Sequence, residues 1–262
     1  MIKQIYTMQD LPMEDLQKIS LAKDGHLLLD EDDLNALLAG RRTDMLRLED
    51  LNFEGMHIDL LDAKLSLKTN EMGIAKLMLH PIYREPEVPQ FLTDTQAEML
   101  EKGEVPNLQK MIFDGEGNPR EVLIEFDKDT NEFIITDTEK ILEPDMINDI
   151  PLTAEQKERY RKGKEVETED GTTIQYSGTE KQGIRSDKLA LIASVLIDGG
   201  VSYVVYKGLN YLFGKKPEKG NANTVGRNYN EALKQMQNAG ATQHNTGFQP
   251  GNEDDYSETL SR

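Results

Sequence analysis

A chain of 262 residues with 48 acidic and 30 basic side chains carries a formal charge of −18; it is 37% hydrophobic and has no Trp. That length allows one or two domains with real cores, and the sparse aromatic content argues against a large aromatic pocket. The absence of Cys excludes disulfides, thiolate metal sites and cysteine nucleophiles.

The charge is uneven. From Lys215 onward six basic residues balance six acidic ones, and residues 189–214 hold one of each, so residues 1–188 carry the whole −18. A region that acidic is repelled by phosphates, so direct nucleic-acid binding is not expected. A cytoplasmic surface is the plain reading, and a DNA-mimicking inhibitor is the sharper one. The first residues lack the apolar core of a secretory signal.

In chain order, residues 11–40 read as helical. Leu16 and Ile19 fit one apolar face. Asp30-Glu31-Asp32-Asp33 precede Leu34, Leu37 and Leu38, with Gly40 after them. Acids at a helix start favour its positive end, and Gly is a common stop. Residues 56–83 read as a β-hairpin. Ala63, Leu65 and Leu67 alternate with Asp62, Lys64, Ser66 and Lys68, and a polar turn ends at Gly73. Pro81, Pro86 and Pro89 then mark a linker around 84–90.

An internal repeat follows. Residues 92–103 and 152–163 share the frame L-T-x-x-Q-x-x-x-(L/Y)-x-K-G, offset by 60 residues. Thr93 and Thr153 cap a helix, and Gln96 and Gln156 complete a capping box. Leu92 and Leu152 stand just before the cap. Leu100 and Tyr160 point inward, and Gly103 and Gly163 end the helix in the left-handed region. Three strand segments follow the first helix. The second unit reads as shorter, stopping before its last strand.

Leu189–Tyr206 is an 18-residue run whose only charge is Asp198. It reads as an apolar helical segment. A membrane span is one reading, since such spans take about 17–25 residues and lysines flank the run. Asp198, Gly199 and Gly200 at its middle speak against a span, a central acid costing about 2.5–3.5 kcal/mol. A buried helical hairpin bent at the glycines, or a self-associating helix, is the alternative. The polar remainder reads as a disordered tail, with one short helix at 229–238.

The expected fold is α+β. It has an N-terminal helix/hairpin domain (1–88), a first repeat unit (89–149) and a second, shortened one (150–187). The apolar helical segment (188–214) and the tail (215–262) complete it. No catalytic, cofactor or metal constellation stands out. His26, His57, His80 and His244 lack metal-binding spacing. The calcium-like opening at Asp127–Asn131 fails at its sixth and twelfth positions, Glu132 and Thr138. Gly163-Lys164 lacks the rest of a P-loop, and no spacing singles out a nucleophile and its base.

Ile150–Lys157 running to Gly163-Lys164-Glu165-Val166 resembles the LTxEQKxxLxxGKxV core of a domain family of unknown function from mobile elements of Bacteroidota. Asp62–Leu67, Gly73 and His80-Pro81-Ile82 resemble a companion N-terminal domain. The resemblance spans roughly residues 10–185 and implies a mobile-element accessory protein whose relatives lie near topoisomerase or mobilisation genes. It brings no catalytic residues. After Val166 the chain departs from the family's GMxSKKGKPFxAxVQ continuation. The functional expectation is a non-catalytic interaction or scaffold protein offering acidic surfaces and sheet edges to a protein partner. The apolar segment would tether it to the inner membrane or to other copies. Alternatives are an accessory to nucleic-acid processing that acts through protein contacts, and an enzyme of unrecognised type.

Overall fold

The computed structural model of this chain describes residues 5–53, 56–70, 72–197, 200–212 and 225–243. In chain order the elements are α1 (Met13–Lys18), β1 (Ala22–Lys23), β2 (His26–Leu27), α2 (Glu31–Leu38), β3 (Leu46–Phe53), β4 (Met56–Thr69) and β5 (Ala75–Pro81). Then come α3 (Asp94–Lys102), β6 (Leu108–Phe113), β7 (Pro119–Asp127), β8 (Glu132–Asp137), β9 (Met146–Ile147) and β10 (Ile150–Pro151). The chain continues with α4 (Ala154–Arg161), β11 (Val166–Glu167), β12 (Thr173–Tyr176), β13 (Ile184–Ser186), β14 (Ala190–Ile197), β15 (Gly200–Lys207) and α5 (Tyr229–Gln243). Helices and antiparallel sheets are mixed, so the fold is α+β.

In the N-terminal body α1 and α2 lie over the sheet β3-β4-β5. Asp30 caps α2 by accepting from Asp33 N–H at 2.7 Å. Leu16, Ile19 and Leu37 are fully buried against Leu48, Leu51 and Leu65. Each such side chain contributes about 1.5–3 kcal/mol of burial energy. The alternation read around Leu65 and Leu67 holds, with the strand β3 added at its edge.

The first unit lays α3 on the meander β6-β7-β8, with Leu92, Leu100, Val122 and Ile124 between them. The second unit places α4 beside the meander β11-β12-β13. It is therefore not truncated: Ile184–Ser186 supplies the third strand, paired to β12 from Ile174 to Tyr176. Its brevity, and the loop of Ser177–Gly183 before it, hid it from periodicity.

The apolar run is not a helix. Residues 190–197 and 200–207 form an antiparallel hairpin, the outer half of the sheet β10-β9-β14-β15. Its β-branched residues suit strands. Leu191 and Ala193 join the second unit's core, while Ile192 on the opposite face packs under α5. A strand covered on both faces shows no polar alternation and cannot be told from a helix by pattern alone. No helix among the described residues is long and apolar enough to cross a membrane. Asp198 and Gly199 lie outside the described residues, and Gly200 opens β15.

Part of the expected tail is also ordered. Residues 225–243 include α5, whose Tyr229 and Ala232 are buried on Ile192 with Leu233 and Met236 around them. Residues 213–214 of the expected apolar segment and 215–224 and 244–262 of the expected tail lie outside the described residues.

Candidate functional site

The repeat residues form two matching caps. Gln96 N–H donates to Thr93 Oγ1 at 3.3 Å and Thr93 N–H to Gln96 Oε1 at 3.2 Å. In the second copy the same bonds measure 3.1 and 2.8 Å, and Gln156 Nε2 also donates to Glu167 O at 2.8 Å. Gly103 and Gly163 hold φ of 71° and 64°, the left-handed region where L side chains are strained. Leu92, Leu152, Leu100 and Tyr160 are buried. The Tyr160 hydroxyl donates to Gly183 O at 2.9 Å, and its ring meets Tyr176 edge-on at 5.8 Å.

The charged interior lies elsewhere, at the junctions. Asp127 ends β7 in the turn that resembled a calcium loop and is 1% exposed. Its carboxylate accepts from Lys64 Nζ at 3.1 Å and from Arg42 Nη1 at 3.3 Å, both from the N-terminal body. Arg42 Nη1 also donates to Thr130 Oγ1 at 3.0 Å and to Glu132 Oε2 at 2.8 Å. Burial disfavours the Lys64 ammonium, yet Asp127 and Asp129 hold its pKa above the ordinary value. Burial alone would raise the Glu132 carboxyl, but His80 and Arg42 hold it below the usual range. A buried pair is strongly destabilising to break, because one charge is left uncompensated. The oxygens that might have suggested a cation loop thus face an ammonium and a guanidinium.

The second junction joins the two repeat units. Glu125, in the middle of β7, is 2% exposed. Its two carboxylate oxygens accept from Ser177 Oγ at 2.7 Å and Gly178 N at 2.6 Å. Burial pushes its pKa up to about 7, against the pull of these hydrogen bonds and of Arg185. Arg185 donates to Glu180 Oε1 through Nε at 3.0 Å and Nη2 at 2.9 Å, and to Thr179 Oγ1 at 2.8 Å. Beside this lock, Asn107 Nδ2 reaches Gly163 O at 2.9 Å. A Cβ on Gly163 would stand 2.8 Å from Leu123, so the glycine that ends α4 also lets the two units approach.

A third cluster fastens the C-terminal segment. Asn148, fully buried at φ 49°, donates to Asp170 Oδ2 at 3.1 Å and accepts from Ile192 N at 3.0 Å. Arg227 Nε donates to Asp170 O at 2.9 Å. A Cβ on Gly226 would lie 1.9 Å from Asn148 Nδ2, so only glycine fits there.

One constellation has the order of a hydrolase site. Ser66 Oγ lies 2.8 Å from His80 Nε2, and His80 Nδ1 lies 3.3 Å from Glu132 Oε2. Such a nucleophile also needs N–H donors aimed at the reacting oxygen. Ser66 stands inside β4 opposite Met78, and the amide before it, Leu65 N–H, is taken by Thr43 Oγ1 at 2.9 Å. Glu132 is shared with Arg42. The trio bridges the N-terminal body to β8. Among the described residues no group of three or more His, Asp or Glu is placed to hold a metal.

Of the junction residues, Gly163 stood out in the sequence as the closing glycine of the repeat, and the buried charged ones did not stand out as a site. Lys64 and Ser66 alternate with Leu65 and look like a solvent face, because the neighbour covering that face is 63 residues away. The Asp-x-Asp turn at 127–129 was the one local signal, and it pointed to a turn.

Two clefts follow the junctions. One, of about 530 Å³, is lined by Asp44, Lys64, Glu125, Asp129, Glu180 and Arg185 among others. The other, of about 470 Å³, opens between α2, β4, β5 and β8. A model of a family described as a protein of unknown function (DUF4099) matches residues 6–90, the N-terminal body with its linker. That agrees with the resemblance of the N-terminal hairpin to a domain of unknown function. No curated protein and no solved structure matches the chain.

Proposed function

We propose that this chain is a non-catalytic interaction scaffold, an accessory of a mobile genetic element that binds a basic protein partner. The observation that carries the reading is where the buried charges go. Lys64, Arg42, Asp127 and Glu125 link one body to the next, so the deepest polar groups hold the units in register and leave the acidic exterior as the recognition surface. An acidic partner surface steers association with a basic protein and repels phosphate. The mobile-element setting rests on the resemblance of the repeat and of the N-terminal hairpin. A nucleic-acid-processing role fits the same geometry, with the chain acting on the basic protein rather than on the DNA. The reading carries no membrane tether, because the segment that suggested one is two strands of a sheet.

The test is a pair of titrations with the full chain at low salt. Labelled duplex and single-stranded DNA are expected to give no saturable binding. A purified topoisomerase or mobilisation protein encoded beside the chain's gene is expected to give a saturable complex that weakens with salt. Tight, salt-steep binding of DNA itself would sink the proposal.

A further inference from the structure

The 470 Å³ cleft contradicts the charge of the molecule around it. The chain carries 48 acids against 30 bases, yet the charged side chains lining this cleft are Arg41, Arg42, Lys68, Lys140 and a single acid, Asp137, with His80 beside them. Arg42 is neutralised by Asp127 and Glu132. Asp137 is occupied, accepting from Glu139 N at 3.0 Å and standing 3.6 Å from Arg120 Nη1. Arg41, Lys68 and Lys140 form no ion pair with any carboxylate of the described residues, although Arg41 Nε donates to Lys181 O at 2.8 Å. Among the described residues, Lys68 and Lys140 therefore line one concavity without a carboxylate partner, while the Arg41 guanidinium turns toward Lys181 and Gly183 at its edge. A cleft of one sign with low-dielectric walls concentrates counter-ions.

Apolar side chains share the walls with polar ones. Ile5, Met78 and Ile135, which are 40%, 38% and 45% exposed, all line the same cleft, as do Tyr6, Phe133 and Tyr176. Large apolar side chains left open to solvent around cations suit a ligand with both characters. The volume lies within the range of small-molecule sites, about 300–1,000 Å³. Gly40 also lines the cleft; its φ of 71° favours glycine, and a Cβ there would lie 2.8 Å from Ile5 Cδ1 and displace that side chain.

We infer that this cleft binds a small amphiphilic anion, an aromatic or aliphatic body carrying a phosphate or carboxylate. Lys68 and Lys140 meet the charge, and Ile5, Met78 and Ile135 cover the body. The site lies where the N-terminal body meets the first unit, so an occupant touches both and stabilises their contact by mass action. This is independent of the scaffold reading and survives its failure.

The probe is 1-anilinonaphthalene-8-sulfonate, an apolar anion, titrated into the full chain by fluorescence, with neutral N-phenyl-1-naphthylamine as control. One saturable site is expected. The double variant Lys68→Gln/Lys140→Gln removes two exposed cations that pair with no carboxylate of the described residues, so the fold is expected to stand. It should weaken the anionic dye about three- to tenfold, the scale of two partly exposed ion contacts, and leave the neutral dye unchanged. Lys23→Gln, which does not line the cleft, should change neither. Displacement by adenosine monophosphate assigns a phosphate-bearing aromatic ligand, and displacement by octanoate assigns an aliphatic carboxylate. Equal binding of both dyes, no effect of the double variant, or displacement by neither competitor overturns the inference.

Discussion

The two repeat units start from the same twelve-residue frame and finish differently. The first rests on its own core: α3 buries Ala97 and turns Leu100 onto Val122 and Ile124. The second has an almost wholly polar helix in which only Tyr160 is buried. Its core borrows Leu123 from the first unit's sheet and Leu191 and Ala193 from the late hairpin. Capping chemistry is thus portable between units, since it needs only four consecutive residues. A core is not portable, since it depends on what the neighbouring chain supplies. The first unit is a platform and the second is completed by docking on it.

Cutting the shared residue should have the largest effect on this contrast. Leu123→Ala is expected to cost about 3–4 kcal/mol in chemical denaturation, with loss of Tyr160 and Tyr176 near-ultraviolet dichroism from the second unit. If only the first unit's signals move, the docking picture is wrong. Next is the lock at Glu125. Its carboxyl titrates near about 7 folded and near 4.5 when exposed. The folded chain therefore holds a proton that the unfolded chain has released across that window. The contribution of Glu125 to stability is highest below the unfolded value, falls as pH rises toward 7, and is flat above, the total being roughly 3 kcal/mol for a fully buried group. Glu125→Gln keeps an acceptor for Gly178 N–H and offers an amide to Ser177 Oγ. The difference between variant and parent melts should grow from pH 4.5 to 7 and then level off. A pH-independent difference counts against the lock.

Smaller effects sharpen the same comparison. Gly103→Ala should cost about 1–2 kcal/mol for its positive φ alone. Gly163→Ala should cost about 1 kcal/mol more, because its Cβ also meets Leu123 and Asn107; equal costs in thermal melts would deny the close approach. Smallest are the caps. Thr93→Ala and Thr153→Ala should each lose about 1 kcal/mol, nearly the same in both units.

Some features needed only nearby residues and were plain in the chain. Thr and Gln three apart, a closing Gly, and the alternation of Ala63, Leu65 and Leu67 each encode a local geometry. The late hairpin was misread because Leu191 and Ala193 face one core while Ile192 faces α5, so both parities are apolar and the period of two vanishes. Its many β-branched residues were the signal for strands. The tail helix was foreseen over 229–238 within a stretch expected to be disordered. Ile192, which it covers, is distant in sequence.

By itself, the sequence determined the two caps, the hairpins with polar turns, the acidity of residues 1–188 and the absence of thiol chemistry. All of these follow from composition or from interactions a few residues long. Only the tertiary structure decided that Lys64 and Arg42 meet Asp127, that Glu125 lies under Ser177, and that Arg41, Lys68 and Lys140 share a cleft. The bonded pairs among them come together across 52 to 85 residues of chain, and a charge carries no local mark of the partner that folding brings to it.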